Sequence, residues 1–257
     1  MTADAGTPLL QVRGLRKRFG ALVATDDVDL QLQAGEVHAL IGPNGAGKTT
    51  LVAQLGGQLP SDAGSVHLAG IDITRWAPHR RARAGLLRSF QITRLLRSLS
   101  VQDNMVFALQ AVQPGAAFLP WRIAATERAL QAQAREQLTM IGLNEVADQR
   151  IEQLSHGQQR VLEVGLSLAS GPRLILLDEP MAGLGAQESQ AMCALIERLR
   201  GHCAVLLIEH DVQAVFQLAD RVSVLVGGRV IASGAPDNVR KDASVVAAYL
   251  GDAEDGL

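Results

Sequence analysis

Apolar positions change their spacing along the chain, and the changes divide it into predicted elements. Val28, Leu30 and Leu32 alternate with Asp29 and Gln31, the period of two expected of a half-buried strand. An extended segment opens at 9–12 before them, and the stretch LRKRFGALVATDD between the two is read as a connection whose turn holds Phe19, either a core filler, which position alone favours, or a stacking plate for a base. Residues 65–69 read as another short strand ending at Gly70. The runs 174–177 and 205–208 have no polar alternation, which predicts strands covered on both faces, as in a parallel sheet. Residues 222–226 and 229–232 flank Gly227 and Gly228 and predict a tight hairpin. From about 93 to 154 the composition shifts to Ala, Gln, Leu and Glu. There Leu130, Ala134, Leu138 and Ile141 recur at helical spacing before Gly142, a C-cap residue. Pro114 and Pro120 bound a loop around Phe118 and Trp121, read as packing residues, and a polar helix is expected to end near Tyr249 and Leu250.

Composition narrows the classes. With 257 residues the chain has room for one large domain, or a main domain with a smaller insertion. A net charge of −2 gives no global argument for nucleic acid or an acidic surface. No apolar run approaches the ~20 residues of a membrane-spanning helix. The start MTADAGTP lacks the basic and apolar parts of a secretory signal, and the two cysteines, Cys193 and Cys203, read as reduced structural thiols of a cytoplasmic chain. Arginines 75, 80, 81, 83, 88, 94 and 97 fall in a stretch without an acid. Two readings of it stay open, a solvated face and a contact patch for a partner or lipid headgroups. A nucleic-acid groove is less favoured, because only Trp76 and Phe90 interleave as aromatics. The six histidines show no metal-ligand spacing.

The candidate chemistry starts at 42–49, GPNGAGKT, which fits G-x-x-x-x-G-K-[ST]. It follows the apolar Val37, Ala39, Leu40 and Ile41 and leads into Thr50, Leu51 and Val52, the strand–loop–helix setting of a phosphate-binding loop. Glycines let the backbone N–H groups and the helix start face an anion, Lys48 adds a point charge, and the Thr49 hydroxyl suits Mg2+. Ser155 and Gly157, in LSHGQQR, stand where a helix begins; alone, this reads as a cap or as a second anion site. The run 174–177 ends in Asp178, Glu179 and Pro180, at the strand end where open α/β sheets place ligands. Ionised acids are costly to bury there without partners, so the pair reads either as a cap on the next helix or, the favoured reading, as an Asp178 that can hold Mg2+, directly or through water, and a Glu179 that can polarise the attacking water. The second buried run is followed by Glu209, His210 and Asp211; a single His after a strand is usually structural, but at the same sheet edge His210 can reach a γ-phosphate.

The ordered set GPNGAGKT, RSFQ, LSHGQQR, LILLDEP and LLIEHD resembles the nucleotide-binding subunit of ABC transporters over essentially the whole chain. The resemblance implies an α/β fold: a P-loop NTPase (RecA-like) core with an N-terminal antiparallel β region and an inserted α-helical subdomain. One ABC ATPase domain, 1–257, would then comprise a nucleotide-binding core, 1–92 and 158–257, and a helical subdomain, 93–157, ending in the signature motif. ATP and Mg2+ are the implied cofactors. Phe19 looks like the adenine-stacking aromatic, although Tyr is commoner there. Gly42, Pro43, Asn44, Gly45, Ala46, Gly47, Lys48, Thr49 and Thr50 look like the phosphate cradle, with Thr49 and Asp178 as magnesium ligands. Gln91 looks like the residue that senses Mg2+, attacking water and membrane subunit together. Ser155, His156, Gly157 and Gln158 look like the family signature, which contacts ATP held by the opposite subunit; His156 replaces the usual glycine. Glu179 matches the catalytic carboxylate and His210 the γ-phosphate switch. Gly185 stands where the family carries an Asp or Asn that helps couple the two sites, so this chain's contribution to the opposite site is expected to depart from the family's.

Within that family, RSFQITRLLRSLSVQDN, the long insertion, AGL after Glu179, LLIEHD and the closing AAYLG resemble one ATPase of branched-chain amino acid importers. Relatives of that branch serve amides and urea, and a related ATPase drives lipopolysaccharide extraction. The importer arrangement implies a second, non-identical ATPase, two permease subunits, an external solute-binding protein, and a peripheral place on the cytoplasmic face of the plasma membrane. No nucleic-acid partner is expected. The helical insertion and the arginine-rich approach to Gln91 would grip the permease. A soluble ABC ATPase acting on DNA or ribosomes is the other class, though such proteins generally carry paired domains or long coiled coils. A non-hydrolysing module would lack a catalytic residue, whereas Lys48, Asp178, Glu179 and His210 are all present.

Overall fold

The structure, a computed structural model, describes residues 7–88, 95–112 and 123–251. Phe90, Gln91, Arg94 and the 114–121 loop lie outside the described residues. In chain order the elements begin with β1 (Leu10–Phe19), β2 (Leu22–Leu32), β3 (Val37–Ile41), α1 (Lys48–Leu55), β4 (Ala63–Leu68), β5 (Ile71–Asp72), α2 (Pro78–Arg83) and β6 (Leu86–Arg88). Helices α3 (Val101–Ala111), α4 (Ile123–Ile141) and α5 (His156–Leu168) follow, then β7 (Leu174–Asp178), α6 (Ala186–Leu199), β8 (Ala204–Ile208) and α7 (Val212–Leu218). The described chain closes with β9 (Arg221–Val226), β10 (Arg229–Gly234), α8 (Pro236–Val239) and α9 (Ala243–Gly251). Two compact units emerge: Met1–Arg88 with Arg173–Glu179 and Leu199–Leu257, and Ser89–Pro172 with Pro180–Arg198.

The first unit holds two sheets. Strands pair in the order β2-β1-β4-β5, antiparallel throughout, and in the order β10-β9-β3-β8-β7-β6, parallel except for β10. The parallel strands are covered on both sides, as their apolar runs predict. Alternation decides which residue faces which layer. Leu40 of β3 and Leu225 of β9 pack with Leu51, Val52 and Leu55 of α1 and with Leu10, Val28 and Leu30 of the antiparallel sheet. Their neighbours Ala39, Ile41, Val222 and Val224 pack instead with Val215 of α7, Val239 of α8 and Val245 of α9.

The segment LRKRFGALVATDD is strand rather than connection: Lys17 pairs with Thr25, Arg18 with Val23 and Phe19 with Leu22 across the turn at Gly20 and Ala21. Register shifts between Val12 and Leu15, Leu15 and Lys17, and Lys17 and Arg18 break the period of two, which hid the strands from a pattern reading. The arginine-rich stretch is neither of the two surfaces expected of it throughout. Arg81 is buried, and its guanidinium donates to the carbonyls of Gln54, Leu55, Thr74 and Trp76 at 2.6–3.0 Å. It thereby caps the C-terminal end of α1, where the carbonyls need donors. Arg80 lies 3.8 Å from the Trp76 ring centroid, and Arg75, Arg83 and Arg97 are exposed.

In the second unit α3 packs on α4 and α5, and Leu130, Ala134, Leu138 and Ile141 are all buried, as their spacing predicts. Gly142 ends α4 at φ 78°, the left-handed conformation of a C-cap glycine. The boundary expected at 157 falls inside this unit. Helix α5 buries Val161, Leu162, Val164 and Leu166, and the side chain of Ile141 reaches Gly165, so the helix following the signature stays with α3 and α4. The unit runs to Pro172 and also takes in 180–198.

Candidate functional site

Strand β3 lies inside the parallel sheet and ends at Ile41, so the loop 42–47 leaves from the C-terminal edge of that sheet. The loop admits no larger side chain at two places. A Cβ at Gly42 would sit 2.0 Å from the Leu225 carbonyl oxygen, and one at Gly47 would sit 2.1 Å from that of Ala24. Gly47, at φ 104°, is the N-cap of α1, and no side chain caps that helix. Its first N–H groups are therefore available to an anion.

Lys48 is 7% exposed, and its ammonium donates to the carbonyls of Gly42 at 2.6 Å and Pro43 at 2.9 Å. Burial pushes its pKa down, and the carboxylates of Glu179 and Asp178 push back, which places the acid pair within electrostatic reach of the loop. Strands β7 and β8 pair Asp178 with Ile208, and the Glu179 N–H donates to the Ile208 carbonyl at 2.9 Å. That pairing brings the residues after both strands to one edge. Glu179 Oε1 and His210 Nε2 stand 2.6 Å apart, each side chain about half exposed. Glu179 has φ 50°, a conformation that costs a non-glycine residue roughly 1–3 kcal/mol and clusters at functional sites. Asp211 accepts from the N–H groups of Gln213 and Ala214, capping α7 and fixing the chain beside His210.

A cavity of about 300 Å3 joins these parts: Asn44 to Thr50, Glu179 and His210 line it together with Phe19, Leu22, Val23 and Ala24. Phe19 is 49% exposed, so it is not a core filler; the β1–β2 hairpin holds its ring at the cavity beside the loop. The Lys17 ammonium lies 5.6 Å from its centroid.

The remaining described candidates, the signature residues and Gly185, lie in the second unit. Ser155 is the N-cap of α5: its hydroxyl accepts from the Gln158 N–H at 3.2 Å, and Gln158 Oε1 accepts from the Ser155 N–H at 2.9 Å. Ser155 and His156 are exposed and Gly157 is buried. Gly185 has open space around its Cα, and its N–H donates to Glu188 at 3.3 Å. Gln91 lies outside the described residues.

Two polar side chains beside these candidates escape sequence reading. The Arg88 guanidinium donates to Asp178 Oδ2 at 2.7 Å, both side chains being largely buried. It neutralises one of two adjacent acids. Glu188 accepts from the Ser155 hydroxyl and the Gly157 N–H, each at 2.9 Å. The signals were slight: an arginine three residues before Gln91, and an acid in the first turn of α6, three residues after Gly185.

Known proteins match this arrangement. The family described as ABC transporter matches residues 25–182, and the family described as branched-chain amino acid ATP-binding cassette transporter matches residues 229–255. The chain is 36% identical over 252 residues to the high-affinity branched-chain amino acid transport ATP-binding protein BraF of Pseudomonas aeruginosa. It is 37% identical over 252 residues to LivG of Escherichia coli K12, which carries the same description; in each case 96% of this chain and 99% of the relative are covered. The fructose import ATP-binding protein FrcA of Rhizobium meliloti is 34% identical, with 93% of each chain covered. Among solved structures, the ADP conformation of an ATP-binding cassette of an ABC transporter superposes with a TM-score of 0.79 at 29% identity, covering 95% of this chain and 99% of that one. A nucleotide-free cassette gives a TM-score of 0.77 at 29% identity over the same shares. With the loop, the acid pair and the histidine at one sheet edge, the chain belongs to the ABC transporter family, as an ATP-binding and ATP-hydrolysing subunit.

Proposed function

We propose that this chain powers the import of branched-chain amino acids or related small polar solutes. The observation that carries the solute class is the match of residues 229–255 to the branched-chain amino acid cassette family, together with relatives of that description aligned along nearly the full length. FrcA, an import ATPase for a sugar, is only slightly less similar, so the solute is chosen outside this chain. Exporter and soluble ATPase readings gain nothing from these relatives. Among the described residues no helix is long and apolar enough to cross a membrane. As relatives described as transport ATP-binding proteins suggest, the chain works against separate permease subunits, peripherally, on the cytoplasmic face of the plasma membrane. A second, non-identical ATPase and two permeases complete the assembly, and an external binding protein delivers the solute.

The nucleotide is ATP. The adenine stacks on Phe19, and the phosphates lie in the cradle from Gly42 to Thr50 against Lys48 and the start of α1. Glu179 polarises the attacking water and His210 contacts the γ-phosphate; their 2.6 Å contact places both at one point of the cavity. Mg2+ suits the residues present: Thr49 is exposed, and Arg88 engages Asp178 Oδ2, leaving Oδ1 as a second oxygen donor. Among the described residues no cluster of three or more His, Cys, Asp or Glu could hold a metal alone, so most ligands would come from the nucleotide and water. When bound, the ion neutralises charge on the β- and γ-phosphates. Ser155, His156, Gly157 and Gln158 meet the ATP held by the other ATPase, and Gln91 links the site to the permease. ATP joins the two subunits and hydrolysis releases them, because the γ-phosphate favours the closed pair.

Tagging the chain, solubilising membranes of the source cell in detergent and identifying what co-purifies by mass spectrometry tests this reading. Two polytopic permeases and a second ATPase are expected. Recovery only in the soluble fraction, with ribosomes, DNA or nothing, would remove it.

A further inference from the structure

In this structure the donors expected to serve the other subunit's ATP already hold an anion. Glu188 Oε1 accepts from the Ser155 hydroxyl and from the Gly157 N–H, both at 2.9 Å, and Oε2 accepts from the Gly185 N–H at 3.3 Å. Those three donors hold its carboxyl below the usual carboxylate range, so the group is charged at neutral pH. The side chain also lies flat across the helix start: a Cβ on Gly157 would meet Glu188 Cβ, Cγ and Cδ at 2.5–2.6 Å. A side chain at position 157 would have to displace the glutamate.

The glutamate is not needed to order this helix start. Ser155 and Gln158 already exchange a reciprocal pair of hydrogen bonds that caps α5. Glu188 adds a charge at the donors themselves. A γ-phosphate and a carboxylate cannot share the same hydroxyl and N–H, since like charges at contact distance repel and each donor has one proton.

We propose that Glu188 is an internal stand-in for the γ-phosphate, which occupies the Ser155 and Gly157 donors in the separated subunit and must yield them when the ATPase pair closes. The residue thereby sets the ATP affinity of the composite site. Its release also frees the Gly185 N–H, so the loop 180–185 is let go in the same step as the signature. That gives this loop a link to nucleotide binding through backbone and Glu188, at a position where Gly185 has no side chain to supply one. The proposal rests on the reading that Ser155 and Gly157 contact ATP held by the other subunit.

The test uses the assembled transporter purified through a tag on this chain, with Mg-ATP as the probe and steady-state ATPase as the readout. Glu188→Ala is expected to lower KM for ATP about 3- to 10-fold, the scale of one exposed charged hydrogen bond removed from competition. Glu188→Gln, which keeps the shape but loses the charge, is expected to lower it less, and kcat/KM rises in both. Thermal unfolding of each variant verifies that it is folded. An unchanged or raised KM, or a fall in kcat alone, would overturn the proposal and leave Glu188 a structural strut. Ser155→Ala reports on the underlying reading: if it changes neither KM nor kcat, the trans contact itself is wrong and the proposal falls with it.

Discussion

Helices α1 and α5 both start at a motif proposed to present N–H groups to phosphate, yet one start is open and the other is filled. At α1 the N-cap is Gly47, no side chain caps the helix, and Lys48 turns its ammonium to the Gly42 and Pro43 carbonyls. At α5 Ser155 and Gln158 cap each other, and Glu188 takes the outward donors. The backbone itself cradles an anion in the first case. In the second, side chains satisfy the helix start, and a ligand must exchange with them. An open start suits a nucleotide bound by this chain alone, and a filled one suits a contact made only when a partner brings the nucleotide.

The largest effect expected on the open side is chemical. Glu179→Gln keeps ATP binding and lowers hydrolysis at least ~100-fold, the scale of losing one stabilising group. Turnover in the purified assembly measures it, and an unchanged rate would take Glu179 out of the catalytic role. Next comes support of α1 from its far end. Arg81→Ala strips a buried guanidinium from four carbonyls and is expected to cost about 2–4 kcal/mol in urea unfolding. An exposed arginine such as Arg83 changed to Ala should stay within about 0.5 kcal/mol in the same assay.

A comparable loss is expected on acidification. His38, fully buried on β3 and hydrogen-bonded to Ser223 at 2.8 Å, has its pKa lowered to about 4, chiefly by burial. Between pH 6.5 and 4 the unfolded chain takes up a proton that the folded chain refuses. Stability contributed by the neutral ring is thus present above pH 6.5 and lost as pH falls through that window, by up to about 3 kcal/mol. The unfolding midpoint followed against pH should fall more steeply for the native chain than for His38→Gln. A smaller effect belongs to the exposed ring: Phe19→Ala should weaken ATP binding about 5- to 30-fold in a fluorescent-nucleotide titration, with hydrolysis at saturating ATP little changed.

Much of this arrangement is legible in the sequence. The parallel strands are, because runs such as 174–177 and 205–208 are apolar without interruption, and the phosphate loop is, because its glycines, lysine and threonine have fixed spacing. The helical face of Leu130, Ala134, Leu138 and Ile141 is as plain. The β1–β2 hairpin is not: bulges interrupt its alternation, and its outer face is charged. The buried Arg81 is hidden among exposed arginines, since partners at Gln54 and Leu55 are remote in sequence. The contacts Arg88–Asp178 and Glu188–Ser155 escape for the same reason, being made across 90 and 33 residues respectively.

The contrast between the two helix starts is tested most directly by measuring ATP affinity of the lone chain and ATPase of the assembled transporter for the same two variants. Lys48→Ala should weaken ATP binding to the lone chain about 10- to 100-fold, as expected for a lost charged contact, and abolish turnover in the assembly. Ser155→Ala should leave the lone chain's affinity unchanged and still collapse turnover in the assembly. If Ser155→Ala weakened binding to the lone chain as much as Lys48→Ala does, both starts would serve one nucleotide within a single chain, and the division of roles between α1 and α5 would be contradicted.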